Sequence, residues 1–328
     1  MVAPGKGILA IDETPATCTR RFAEAGIEST EETRRAYREM LVTAPRIGDY
    51  ISAAILVDET IRQVTSDGRS FVEALAEQGI LPGIKVDAGA RPLAGAADET
   101  VTEGLDRLRE RLEEYRAMGA RFTKWRAVIG IGPGLPSRYC ILVNAHALGR
   151  YAALAQEAGL APIVEPEVLM DGSHDIHRCA EVTEDVLRAV FVDLAAQRCL
   201  LEGIVLKPNM VISGQESPDQ APAAEIARFT LDVLRRCVPS AVPGIAFLSG
   251  GQSGEEACRN LSEIASRGPQ PWELTYSFGR ALQYPALETW RGQGANLAAA
   301  QAAFLHRARM SSLARSGAYS HDLERMPA

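Results

Sequence analysis

The chain has 328 residues, of which 46% are hydrophobic and 23% charged, and its 35 basic against 42 acidic residues give a formal net charge of -7. That composition excludes a disordered or fibrous chain, and the acidic balance excludes a generic nucleic-acid or anionic-membrane binder. No apolar stretch approaches the roughly 20 residues of a membrane span, and the opening MVAPGKG lacks the apolar core of a signal peptide, so the expected location is the cytoplasm.

In chain order, short runs rich in valine and isoleucine alternate with segments of helical periodicity, the pattern of repeated β-α units. Eight such runs are read as strands: residues 6–12, 50–59, 81–87, 121–129, 160–168, 203–211, 244–250 and 273–279. Between them, Ser29 with Glu32 reads as a capping box before TRRAYREML, and LDRLRERLEEYRAMG spaces apolar residues three or four apart before a terminating glycine. Helices are also expected near 180–201, 222–237 and 254–266. Eight strands close a parallel barrel, and no linker divides the chain, so the expected architecture is a single (β/α)8 TIM barrel. Residues 1–311 form the catalytic barrel in this reading and 312–328 a C-terminal tail.

Of the 35 basic residues only four are lysine, Lys6, Lys85, Lys124 and Lys207, leaving 31 arginines. Arginine fills surface-charge roles as well as lysine does. A retained lysine therefore points to chemistry that guanidinium cannot perform, namely deprotonation near neutral pH and attack on a carbonyl. Three of the four lie at strand ends, where barrel active sites form. Those ends carry Asp12, Asp58 with Glu59, Lys85 with Asp87, Lys124 with Arg126, Glu165 with Glu167, Lys207, Ser249, and Arg280 just past Gly279. Residues two apart share a face, so the paired charges point the same way and do not belong to an apolar barrel filling. Pro166 and Pro208 fit places where a strand ladder is ending.

Lys207 is a nucleophile only if its pKa is pulled down. A cation such as Lys124 about 4 Å away contributes on the order of 4 kcal/mol of repulsion at an effective dielectric near 20, and burial adds to it. Glu165 and Glu167 supply proton transfer for making and hydrolysing an imine. The same four residues also fit a structural ion-pair ring. Asp12 reads either as a helix N-cap in DETPAT or as a base for a substrate hydroxyl. In the last two units, LSGGQS offers Ser249 and Gly250 while FGR offers Gly279 and Arg280, the places where barrels often bind phosphate. Lys85 with Arg126 forms a second cationic group, which suggests a substrate phosphorylated at both ends.

His174 and His177 match no standard metal-ligand spacing, and Gly130, Gly132 and Gly134 in GIGPG are followed by prolines rather than a helix, so neither a metal site nor a dinucleotide loop is expected. The six scattered cysteines include no CxxC pair and read as reduced thiols.

With GILAIDET, GIKVDAG, KWRAVI, IVEPEVL, GIVLKPNMV, FLSGGQS and SFGRAL in this order, the chain resembles the class I, Schiff-base-forming fructose-bisphosphate aldolases over nearly its whole length. The resemblance implies a metal-independent enzyme of glycolysis and gluconeogenesis that reversibly cleaves fructose 1,6-bisphosphate, a small-molecule sugar bisphosphate. It implies Lys207 as the imine-forming lysine, Glu165 as its acid/base with Glu167 and Lys124 in support, and Asp12 as the base at the C4 hydroxyl. Ser249, Gly250, Gly279 and Arg280 match one phosphate site; Lys85, Arg126 and Thr17, with Arg21 nearby, match the region for the other end of the sugar. It also implies a homotetramer with no cofactor and no nucleic-acid or membrane partner. Three departures stand out. The sequence starts almost on the first strand, where family members have a preceding helix; its last residues are MPA rather than a tyrosine; and Thr14 and Arg20 stand where related chains often have serine and lysine. The catalytic residues do not choose among fructose 1-phosphate, fructose 1,6-bisphosphate and sedoheptulose 1,7-bisphosphate, and a non-catalytic scaffold is the reading from another class.

Overall fold

Strand residues alternate sides, so each apolar run divides its side chains between the barrel interior and the surrounding helices. In the computed structural model, which describes residues 1–325, Ile8, Ala10, Ala53, Ile55, Phe122, Ile163, Val205 and Ala246 form the inner cluster. Their neighbours Leu9, Ala54, Leu56, Val164 and Leu206 belong to the larger core beneath the helices.

The strands are β1 (Gly7–Ala10), β2 (Ile51–Leu56), β3 (Leu81–Lys85), β4 (Gly89–Pro92), β5 (Thr100–Glu103), β6 (Phe122–Ile129), β7 (Ala161–Val168), β8 (Val205–Leu206), β9 (Gly244–Phe247) and β10 (Glu273–Phe278). Eight of them close a parallel barrel in the order β1-β10-β9-β8-β7-β6-β3-β2, the fold expected from the sequence. β4 and β5 pair separately as an antiparallel hairpin. The helices are α1 (Pro15–Glu24), α2 (Glu31–Val42), α3 (Asp58–Ile61), α4 (Phe71–Glu77), α5 (Leu108–Ala117), α6 (Arg138–Glu157), α7 (Ile176–Ala196), α8 (Ala223–Cys237), α9 (Gly254–Ser266), α10 (Arg280–Trp290) and α11 (Leu297–Arg315). α11 runs through residue 312 without a break. No helix among the described residues is long and apolar enough to cross a membrane.

Local details differ from the sequence reading. The cap of α2 is Thr30, which accepts from the Thr33 amide, because Ser29 is engaged by the Thr19 hydroxyl instead. Pro166 lies inside β7, paired in register with Ala127, rather than at the strand's end. It is tolerated because Val164 accepts from the Lys207 amide on the β8 side, and two residues further on β8 has already ended. Asp58 and Glu59 begin α3 and turn outward, Asp58 to Arg62 and Tyr115, Glu59 to Arg34 and Arg38.

At the bottom of the barrel the chain itself fills the space. Met1, Val2 and Ala161 pack against the inner cluster, and a Cβ on Gly244 would meet Val2 at 2.5 Å. Phe122 lies against the bare Cα of Gly83, the one inward position in β3 where any side chain would overlap the ring. Buried Arg315 donates to the carbonyls of Val2, Ala3 and Lys6 and pairs with Glu273 at 3.0 Å, tying the last long helix to the start of the chain.

Candidate active site

On the inward faces, residues at the bottom are apolar and those two to four positions later are charged. Phe122 gives way to Lys124 and Arg126, Ile163 to Glu165 and Glu167, and Val205 to Lys207. The barrel interior is therefore dry below and ionic at its C-terminal mouth. A cavity of about 650 Å³ opens there. Its lining includes every site residue expected from the sequence: Asp12, Thr17, Arg21, Lys85, Lys124, Arg126, Glu165, Glu167, Lys207, Ser249, Gly250, Gly279 and Arg280.

Glu165 is the centre of the arrangement. Its Oε1 lies 3.0 Å from Lys207 Nζ and its Oε2 2.7 Å from Lys124 Nζ, while Lys124 also donates to Asp12 Oδ2 at 2.8 Å. The contact to Lys124 is an ion pair without an aligned donor, so Oε2 retains hydrogen-bonding capacity. Glu165, Lys124 and Lys207 are all at least 97% buried. Where the sequence suggested two cations facing each other, a carboxylate stands between them. β1 and β7 lie opposite in the barrel order, yet the lumen is narrow enough for Lys124 to join Asp12 from one and Glu165 from the other.

Burial opposes the charge on each of these groups, and the neighbours outweigh it. Desolvation raises the Asp12 carboxyl pKa, but Lys124 and Lys207 hold it well below the usual range. For Glu165 desolvation likewise raises the pKa and the pull of Lys124, Lys207 and Arg126 reverses it. Lys124 is pushed down by burial and then held above the ordinary lysine range by Asp12 and Glu165. Asp12 is not a helix cap; the Thr14 side chain accepts from the Thr17 amide and starts α1.

Three of the other expected cations are engaged rather than free. Lys85 pairs with Asp87 and also donates to its carbonyl at 2.9 Å; Arg126 pairs with Glu167; Arg21 pairs with Glu13. Glu167 thus serves Arg126, and Glu165 alone joins the two buried lysines. On the other side, Gly250 and Gly251 adopt φ of +52° and +76°, and Arg280 donates to the Gly251 carbonyl at 2.6 Å. Two successive residues with left-handed φ fit glycine, and the turn they make lines the cavity beside Arg280. No group of three His, Cys, Asp or Glu side chains that could hold a metal ion occurs among the described residues. His177 stacks edge-on against Phe229 at 4.8 Å.

The family model for class-I fructose-bisphosphate aldolase matches residues 1–327. The chain belongs to the class-I fructose-bisphosphate aldolase family. It is 56% identical to a probable fructose-bisphosphate aldolase class 1 of Xanthomonas campestris pv. campestris, covering 97% of this chain and 95% of the relative. It is 53% identical to the cytosolic fructose-bisphosphate aldolase 5 of Arabidopsis thaliana, covering 98% and 89%. Among solved structures, the Plasmodium falciparum fructose-bisphosphate aldolase in complex with TRAP and a small-molecule inhibitor superposes with a TM-score of 0.96 at 46% identity, covering 97% of this chain and 92% of that one. A family aldolase is a carbon-carbon lyase, and this chain is an enzyme of that class.

Several groups outside the expected set of site residues complete the cavity. Asp87 accepts from Lys85 and from the amides of Gly89 and Arg126, the latter two at 3.1 Å, and so fixes the β3 and β6 ends together. Glu13 holds Arg21, and Arg20, Asp171 and Gln215 also line the wall. Glu13 stood beside Asp12 in GILAIDET, but nothing in its spacing marks it as a partner of Arg21.

Proposed function

We propose that the chain reversibly cleaves fructose 1,6-bisphosphate to dihydroxyacetone phosphate and glyceraldehyde 3-phosphate through an imine on Lys207, without a metal, in the cytoplasm. The observation that carries this reading is the buried Lys207 amine 3.0 Å from Glu165 Oε1. A proton passes from Nζ to that carboxylate, and the neutral amine adds to the C2 ketone to give a carbinolamine. Glu165 returns the proton to the departing hydroxyl, water leaves, and the iminium remains. Its positive charge draws the electron pair of the C3–C4 bond as Asp12 takes the C4 hydroxyl proton, and glyceraldehyde 3-phosphate departs. The enamine is then protonated at carbon and the imine hydrolysed. Lys124, hydrogen-bonded to Asp12 and ion-paired with Glu165, keeps each carboxylate ionised and in place until it accepts its proton.

The turn at Ser249 and Gly250, with Gly279 and Arg280, receives the phosphate nearer the imine. Thr17, Arg21, Lys85 and Arg126 receive the far end of the sugar. The assembly expected from the family is a homotetramer, which light scattering on the purified chain tests. The cytosolic Arabidopsis relative supports a cytoplasmic location, to be weighed against chloroplastic relatives such as that of Pisum sativum.

The deciding experiment is borohydride treatment with fructose 1,6-bisphosphate followed by peptide mass spectrometry. The expected result is substrate-dependent modification of Lys207 alone and cleavage activity unchanged by EDTA. Modification elsewhere, or none while activity persists, overturns the imine assignment; loss of activity on chelation overturns the metal-free one.

A further inference from the structure

Gln283 lies one turn into α10, three residues beyond Arg280, and is 1% exposed. Its Nε2 donates to the Ala10 carbonyl at the end of β1 at 2.5 Å and to Glu13 Oε1 at 2.9 Å. Its Oε1 accepts from the Tyr37 hydroxyl at 3.1 Å. Both partners of the amide nitrogen are acceptors only, so the amide has one chemically permitted orientation. Burial pushes the Tyr37 hydroxyl well above its ordinary pKa, which keeps it a donor.

The Glu13 oxygen that Gln283 holds is the same Oε1 that pairs with Arg21 Nη1. Arg21 lines the cavity with 26% of its side chain exposed, so its guanidinium remains open to a ligand while one nitrogen is anchored. One helix therefore presents Arg280 with its first residue and steadies Arg21 with its fourth. None of the contacts made by Gln283 reaches the buried lysines.

We infer that Gln283 is a positioning residue for the phosphate farther from the imine: it fixes Glu13, and through Glu13 the Arg21 guanidinium, and so favours ketose bisphosphates over monophosphates. The inference rests on the bisphosphate reading above. Without the amide, Glu13 is free to swing, and Arg21 loses the anchor that pre-sets it for a planar, charge-assisted contact.

Binding of hexitol 1,6-bisphosphate and hexitol 1-phosphate, neither of which has a ketone, is measured by calorimetry on the full chain. The wild type is expected to prefer the bisphosphate. Gln283→Met, which keeps the side-chain volume, is expected to weaken the bisphosphate about tenfold and the monophosphate less than about twofold. In an Arg21→Met background the same change is expected to add nothing. Equal losses on both ligands, or effects that multiply with Arg21→Met, overturn the inference and leave the bisphosphate reading standing. A wild type that binds both ligands equally overturns that reading and the inference with it. Should Gln283→Met fail to fold, Tyr37→Phe removes only the hydroxyl that orients the amide, and a selective loss of about threefold on the bisphosphate is the result that upholds the inference. An unselective loss, or none, overturns it.

Discussion

A single carboxylate between two buried amines makes Glu165 the residue on which the chemistry turns. Replacing it with glutamine removes proton transfer while keeping shape, and kcat is expected to fall about 10²- to 10⁴-fold, with Lys207 no longer trapped by borohydride at the wild-type rate. Asp12 makes a sign-definite prediction about stability. Its folded pKa lies below the ordinary 3.8, so its contribution is fully present above that value and is lost as pH falls through it toward the depressed one. Lys124 behaves oppositely, contributing below the ordinary 10.5 and losing that contribution as pH rises toward its elevated value. Asp12→Asn is therefore expected to be less stable than the parent in urea at pH 7, with the gap narrowing below about pH 4. A gap that widens on acidification would contradict the pairing. Strand-end charge was legible in the sequence because it breaks the apolar alternation. The Glu13–Gln283 contact was not, because its two members lie 270 residues apart and each alone is an ordinary polar residue.

At the level of elements, the eight strands follow directly from alternation and β-branched content. β8 shrinks to two residues because LKPNM leaves the ladder at Lys207. The β4–β5 hairpin escaped notice because most of its residues are partly or fully exposed, and without a buried face there is no apolar period to read. Gly83 shows how one small residue sets the shape of the barrel. The Phe122 ring occupies the space that a side chain on β3 would need. Gly83→Ala is accordingly expected to cost about 2 to 3 kcal/mol, seen as a lower urea midpoint at unchanged slope. An unchanged midpoint would mean that Phe122 relocates freely.

Taken whole, the molecule separates stability from chemistry along the barrel axis: the apolar floor and its ties lie at one end and the ionic cavity at the other. Arg315 carries the floor, since its guanidinium satisfies three carbonyls of the first six residues. Arg315→Met leaves those carbonyls without their donor and is expected to cost about 2 to 3 kcal/mol, lowering Tm while kcat at 25 °C stays within about twofold of the parent. A fall in kcat instead would show that the two ends are coupled. The scarcity of lysine has its own practical outcome. Lys124 and Lys207 are buried, Lys85 is held by Asp87, and Lys6 is half-buried against the Gly48 carbonyl, so none of the four lysines is freely exposed. Activated esters and acyl donors meet a coat of guanidinium groups that does not react with them. The half-buried α-amine of Met1, whose pKa burial and Arg315 lower, becomes the favoured point of acylation, and a carbonyl reagent small enough to enter the mouth finds the Lys207 amine there.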